Sequence, residues 1–194
     1  MLEEMEERTT KELIETLGED FERCYQGLLQ SFDEGTIDKD GNLDADYEFH
    51  ARQLVRAVFA YIEEVTFSVK VTAASDCMRR GIEISPQERY IAAEIDYELN
   101  EKGEVVERPA HIKLPSNVRF AFMLLEKAHE LPPQFDASAE WWFCLRESIK
   151  VRDRLVHPRM PGDLDVSPEE LIKALKAKNG FDGVLHYYID FNTA

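Results

Sequence analysis

A long apolar stripe in the first half of the chain constrains the fold more than any other feature. Between residues 44 and 73, apolar side chains recur every three or four positions, as on one face of an α-helix. A helix over 44–73 would span about 45 Å, which is enough for the spine of a helical bundle. The stripe consists of Tyr47, Ala51, Leu54, Val58, Tyr61, Val65 and Val69.

Helical periodicity and helix-boundary residues predict further helices on both sides of this spine. The two Ser-Pro pairs, at Ser85 and Ser167, are each followed by a glutamate two residues after the proline, which is a helix-start pattern. Pro132 and Pro158 are expected to stop the helices that precede them, and Asn179-Gly180 to stop another. The predicted segments are 9–32, as one or two helices, a short helix from Ser85, and 115–130, 137–156, 169–178 and 181–191.

One segment has the periodicity of a β-strand instead. Ile95, Tyr97 and Leu99 alternate with polar residues, and an Asn-Glu-Lys-Gly turn at 100–103 separates them from an extended segment at 104–107. We therefore expect a β-hairpin at about 95–108, inserted between helices. The predicted fold is mainly α, a helical bundle with a small inserted hairpin.

The length of 194 residues fits one domain. We expect its core over about 10–160, with C-terminal helices at about 167–191. The segment 36–47 imitates a calcium loop around Gly41, but Thr36 and Tyr47 stand where that loop needs an acidic ligand and a bidentate glutamate. A plain turn over 33–46 is the better prediction.

Charge and cysteine content restrict the function classes. The net charge of −16 disfavours binding of nucleic acid over the whole surface, so no DNA partner is expected. A chain with this net charge can still carry a local basic patch. The cysteines, Cys24, Cys77 and Cys144, are widely separated and are expected to be reduced, buried thiols. The acidic start and the lack of a long apolar run predict a cytoplasmic protein without a membrane span.

The end of the helix predicted over 137–156 carries the strongest functional signal. An apolar stripe of Trp142, Leu145, Ile149 and Val156 includes Arg152, where the periodicity predicts a buried apolar residue. A buried guanidinium is costly unless it is paired, so a carboxylate, a subunit interface or a bound anion should compensate it.

His157 follows Arg152 by five residues, directly before Pro158. On an ideal helix the two side chains diverge by about 140°. Two arrangements could bring the side chains together. Pro158 could shift the backbone of His157 out of the helical conformation, or a second copy of the helix could lie across a twofold axis. Asp153, one turn before His157, could hold the imidazole.

The surrounding segment 146–159 is locally basic, with five Lys or Arg and two acids. A histidine can remove the proton from a ribose 2′-hydroxyl, and an arginine can stabilise the charge that develops on the neighbouring phosphate. About one Arg-x4–6-His match is expected by chance in this composition, so the helix end and the proline stop carry more weight than the spacing. As an alternative, Arg152 could pair with Glu63 or Glu64 and His157 could cap the helix.

The segment Arg152-Asp153-Arg154-Leu155-Val156-His157 resembles the RNase motif of the HEPN superfamily, which is Arg, a polar residue, and His after four to six positions on the last core helix. More loosely, 56–64 resembles the long helix of these proteins, and the hairpin followed by 116–120 resembles bacterial members. The resemblance covers roughly residues 10–160.

The resemblance implies an all-α homodimer with two motifs facing one cleft, acting as a metal-independent endoribonuclease without cofactors. Arg152 and His157 would be catalytic, Asp153 would support His157, and Lys150, Arg154 and Arg159 of the basic patch would bind RNA. Many HEPN proteins act in toxin–antitoxin or phage-defence systems, which would imply a protein antitoxin or partner. Others are non-catalytic dimerisation or interaction modules, which is the alternative function.

Overall fold

The computed structural model describes residues 2–34 and 44–193, and the side chains of 12–32 and 44–188. Six α-helices and one antiparallel pair of strands make up the described residues, so the predicted mainly α class is confirmed. The helices are α1 (Leu2–Glu34), α2 (Ala45–Arg80), α3 (Pro86–Ala92), α4 (Leu114–His129), α5 (Glu140–Val156) and α6 (Pro168–Thr193). The strands are β1 (Ile95–Leu99) and β2 (Val105–Pro109), and a 3-10 turn covers Pro161–Leu164. The turn predicted over 33–46, with its calcium-like loop, lies mostly outside the described residues.

The predicted long helix is confirmed as α2, which has 36 residues and a length of about 54 Å. It continues seven residues past the predicted end at Ala73, because Ala74 and Cys77 extend the buried stripe. It stops where Gly81 adopts a positive φ of 70° and the N–H of Ile82 donates to the Cys77 carbonyl at 2.8 Å.

The hairpin is confirmed, with Ile95 opposite Pro109 and Leu99 opposite Val105. Its turn contains Gly103 at a φ of 76°, and the Asn100 side chain accepts from the N–H of Glu104 at 3.0 Å. The predicted helix start at Ser85 is also confirmed.

A buried lysine fixes the base of the hairpin. The ammonium of Lys70 on α2 is fully buried and donates to Glu94, just before β1, and to Asn117 on α4, both at 2.6 Å. Asn117 in turn donates to Glu94 at 2.7 Å. Burial lowers the pKa of Lys70, and the bond to Glu94 opposes that change. The three side chains therefore satisfy one another's hydrogen-bonding groups beside the start of β1.

The predicted break in the last helices, between 169–178 and 181–191, is wrong. α6 runs unbroken from Pro168 to Thr193 through Asn179-Gly180. Gly180 packs directly against Trp141 of α5, where a Cβ atom would overlap the indole side chain. The glycine is therefore required by a close helix contact, which local sequence rules do not detect.

The chain divides into two compact units. The first comprises the residues up to Glu64 together with Asp136–Gly183, and the second comprises Val65–Phe135 and Val184 onward. Large buried side chains of the first are Tyr47, Leu54, Phe59, Ile62, Leu145, Leu155 and Phe181, and those of the second are Phe122, Leu124 and Tyr188. The organisation as a single domain stays a prediction.

The described helices include none that is both long enough and apolar enough to cross a membrane.

Candidate functional site

The site predicted from sequence lies at the carboxyl end of α5, within the first unit. α5 ends at Val156, and His157 follows with φ −125° and ψ 59°, outside the helical region, as expected before Pro158. The N–H of His157 still donates to the Asp153 carbonyl at 3.0 Å. The backbone at His157 is therefore tied to the helix although the helix has ended.

An arginine from α2 also holds this helix end. Arg56 donates to the Leu155 carbonyl at 3.0 Å, satisfying one of the carbonyls that a helix end leaves unpaired. Arg56 was missed as a functional residue because nothing in the local pattern connects it to α5.

Arg152 contacts three side chains. Its guanidinium forms an ion pair with Glu63 of α2, donates to the adjacent Asp153 at 2.9 Å, and lies 5.7 Å from the centre of the Phe59 ring. Its side chain is 28% exposed. Arg152 thus sits at the border of the core, with its charge offset by two carboxylates and its guanidinium close to an aromatic ring.

The predicted apolar stripe of α5 is wrong at its end. Val156, expected to be buried, is 48% exposed, whereas Leu155 and Val151 are buried. The buried face follows Leu145, Ser148, Val151 and Leu155, so Arg152 lies beside it instead of replacing a core residue. The Arg152 guanidinium is therefore only partly buried, and the carboxylates of Glu63 and Asp153 compensate its charge.

His157 is exposed, and its imidazole has no hydrogen-bond partner among the described side chains and backbone. The carboxylate of Asp153, expected to hold this ring, is directed to Arg152. The structure therefore brings Arg152 and Asp153 together and leaves His157 accessible at the helix end.

Arg154, predicted to bind RNA, is held by the start of α6. Its guanidinium donates to the two carboxylate oxygens of Glu170 at 3.0 and 2.8 Å, and also to the Asp165 carbonyl. Glu170 accepts at the same time from the N–H of Ser167, the residue before α6. Burial acts to raise the pKa of Glu170, but the bonds from Arg154 and Ser167 outweigh it and lower the pKa overall.

The other two predicted RNA-binding residues differ in their surroundings. Lys150 donates to Glu147 at 2.7 Å in an exposed pair on α5. Arg159 uses its N–H to donate to Asp163 at 2.7 Å, and its guanidinium has no ion-pair partner in the described ranges. The basic segment 146–159 is therefore partly neutralised, by Glu63 and Glu170, which arrive from distant elements.

A groove between α5 and the first turns of α6 collects several of these side chains. It is open to solvent, has a volume of about 370 Å³ including that open space, and is lined by Glu147, Ser148, Lys150, Val151, Arg154, Glu170 and Lys173. Ser148 and Lys173 were not predicted as site residues. In the sequence, Ser148 has the pattern of an ordinary residue within a helix, and Lys173 belongs to another helix. Only the packing of α5 on α6 shows that both line the groove.

The three cysteines are free thiols, and burial raises the pKa of Cys77 and Cys144. Neither is therefore activated as a nucleophile at neutral pH. Among the described residues, no group of three or more His, Cys, Asp or Glu could hold a metal ion.

Comparison with protein-family models, with curated proteins and with solved structures found no match to this chain.

Proposed function

We propose that the chain is a metal-independent endoribonuclease of the HEPN type, with Arg152 and His157 as catalytic residues and Asp153 in support. The observation that carries the proposal is the exposed imidazole of His157, without a partner among the described residues, on a helix end that Arg56 and Asp153 hold in place. A free imidazole carried by a backbone that is held in place suits a general base.

In the proposed reaction, the imidazole of His157 removes the proton from a ribose 2′-hydroxyl. The 2′-oxygen attacks the adjacent phosphorus, and the bond from phosphorus to the 5′-oxygen of the next nucleotide breaks. The departing 5′-oxygen takes up a proton, leaving a 2′,3′-cyclic phosphate and a 5′-hydroxyl end. Arg152 stabilises the extra negative charge on the phosphate oxygens in the transition state.

Arg152 and His157 lie about 140° apart around an ideal helix axis. Arg152 also faces α2 through Glu63 and Phe59, whereas His157 is exposed. A homodimer in which Arg152 of one copy acts with His157 of the other accommodates this divergence. By the resemblance to HEPN proteins, we propose a cytoplasmic setting in toxin–antitoxin or phage-defence biology, with a protein antitoxin or partner.

The test is RNA cleavage by the purified chain in EDTA, with the ends identified by mass spectrometry. We expect cyclic phosphate ends from the wild type and a loss of about 10²-fold or more in His157→Ala, the scale of a missing general base. His186→Ala, which removes an exposed histidine of α6, is the matched control and should cleave like the wild type. Equal cleavage by His157→Ala and His186→Ala would exclude the proposal.

A second candidate is a non-catalytic dimerisation or interaction module. The pairing of Arg152 with Glu63 and Asp153 favours it, because two carboxylates compete with phosphate for the guanidinium. This candidate predicts a dimer mass by light scattering, as the ribonuclease also does, and differs from it in predicting no RNA cleavage by any variant. A cleaving wild type with an inactive His157→Ala would reject it.

A further inference from the structure

The groove between α5 and α6 has the features of a ligand site distinct from the Arg152 side of α5. Lys150, Arg154 and Lys173 bring three positive charges to it, and Arg152 does not line it. All its lining residues belong to the first compact unit.

Ser148 is the feature that internal packing does not account for. Its side chain is 1% exposed, it lines the groove, and its hydroxyl has no hydrogen-bond partner among the described residues. A buried hydroxyl without a partner is unfavourable, because it has lost its bonds to water and gained none. A ligand oxygen in the groove would supply the missing bond.

The basic side chains that line the groove with Ser148 place positive charge next to its hydroxyl, where an anion would bind. Arg154 is fixed by its paired bonds to Glu170. The ammonium groups of Lys150 and Lys173 are instead held by carboxylates one turn away on their own helices, Glu147 at 2.7 Å and Glu169 at 2.8 Å. Each of these pairs lies within one helix and has one well-exposed partner, so both are weak and the ammonium groups are available to a competing anion.

We propose that this groove binds a phosphate group, with the Ser148 hydroxyl and the Lys150 and Lys173 ammonium groups donating to its oxygens and Arg154 adding fixed positive charge. A phosphate fits this set better than a carboxylate because it offers more oxygens and more negative charge to several convergent donors. The carboxylates of Glu147 and Glu170, on the same lining, can accept from the hydroxyls of an attached sugar.

Arg154 is the last residue of α5 that lines the groove, and it is three residues before His157. On an ideal helix His157 is about 60° from Arg154, against about 140° from Arg152. Ser148 is about 180° from His157 on the same ideal helix. An RNA strand bound in the groove would therefore have to run along α5 past Arg154 to bring a neighbouring nucleotide to the imidazole. This use as an RNA subsite rests on the proposed function, whereas phosphate binding itself does not.

The test is a nitrogen-15 NMR titration of the full chain with inorganic phosphate at constant ionic strength, with sodium chloride as the reference. We expect saturable shifts of the backbone amides of Ser148, Lys150, Arg154 and Lys173. The variant Lys150→Gln/Lys173→Gln should weaken binding about tenfold or more, and Ser148→Ala several-fold, because each loses bonds to a charged ligand. Ser148→Ala should fold normally, since its hydroxyl has no partner to lose.

The matched control is Lys176→Gln, which removes a lysine of α6 that pairs with Glu140 and does not line the groove. It should bind phosphate like the wild type. Absence of saturable shifts, or equal weakening by Lys176→Gln and by Lys150→Gln/Lys173→Gln, would overturn the inference.

Adenosine 5′-monophosphate and a short oligouridylate distinguish the sources of the phosphate. Competition by the oligouridylate at the same amides assigns the groove to RNA, and competition by the mononucleotide alone assigns it to a small phosphorylated ligand. His157→Ala should retain phosphate binding. Failure of binding in a chain that still cleaves RNA would reject this site alone, and binding without cleavage would reject the ribonuclease alone.

Discussion

The guanidinium of Arg152 on α5 forms an ion pair with the carboxylate of Glu63 on α2. The Arg152 side chain is 28% exposed and that of Glu63 is 44% exposed, so both groups keep part of their hydration. The pair connects α5, which carries the proposed catalytic residues, to α2. Its strength decides how readily Arg152 can be drawn toward a phosphate.

We expect this pair to contribute little to stability. A double-mutant cycle with Glu63→Gln and Arg152→Gln, measured by urea unfolding, should give a coupling energy of about 0.2–1 kcal/mol, as for other solvent-exposed pairs. A coupling energy above about 2 kcal/mol would contradict this expectation and would describe an arginine committed to Glu63, which favours the interaction module over the ribonuclease.

The second prediction concerns Arg56 as a positioning residue for the end of α5. Arg56→Met removes the donor to the Leu155 carbonyl and should lower the free energy of unfolding by about 1–2 kcal/mol. Hydrogen exchange at the amides of Val156 and His157 should accelerate. If the chain is a ribonuclease, cleavage should fall while RNA affinity is retained, because His157 would still be present but less well placed.

The control for Arg56→Met is Arg52→Met, one turn earlier on α2, where the arginine pairs with Glu48. Arg52→Met should leave exchange at the end of α5 unchanged. Equal acceleration in both variants would assign the effect to α2 as a whole and not to the bond from Arg56.

Much of the fold followed from local chemistry in the sequence. The stripe of α2 and the alternation at Ile95–Leu99 each follow the repeat of one element, helical or extended, which residue spacing encodes directly. The helix start at Ser85 could also be predicted from the sequence, because its capping partner Glu88 is only three residues away.

The rest depended on contacts between elements that are distant in sequence. Asn179-Gly180 has the composition of a helix stop, but Trp141 determines that a glycine is needed there. The candidate site shows the same limit: Arg152 and His157 were proposed from the helix end and the proline stop, whereas Glu170 as the partner of Arg154 could not be predicted. The sequence left Glu63 and Glu64 as alternative partners of Arg152, and the packing of α5 on α2 places Glu63 against the guanidinium.

The contact between Gly180 and Trp141 yields the third prediction. Gly180→Ala should destabilise the chain by about 1–3 kcal/mol, because the added methyl group overlaps the Trp141 side chain. Gly183→Ala, on the same helix with no neighbour within 4 Å of the added atom, should stabilise it by up to about 1 kcal/mol through helix propensity. Thermal unfolding of the two variants measures the difference, and equal effects would contradict the close packing of α6 on α5.

The fourth prediction concerns Tyr61, whose ring and that of Phe21 both contact the Lys178 ammonium, at 4.6 and 4.3 Å. Lys178 also donates to Asp182 at 2.6 Å. Burial, helped by the negative charge of Asp182, raises the pKa of Tyr61 to about 12 from its ordinary value of 10.0. The folded chain therefore retains the phenol proton over a pH range in which the unfolded chain releases it.

The sign of the pH effect follows from that difference in proton binding. The contribution of Tyr61 to stability is fully present below pH 10 and is lost as the pH rises toward 12, by no more than about 1.4 kcal/mol per pH unit for one proton. The free energy of unfolding of the wild type should consequently fall more steeply above pH 10 than that of Tyr61→Phe. Urea unfolding at several pH values between 8 and 11 measures both slopes. Parallel curves would show that the Tyr61 phenol titrates alike in the folded and unfolded chains, which would contradict its burial beside Asp182.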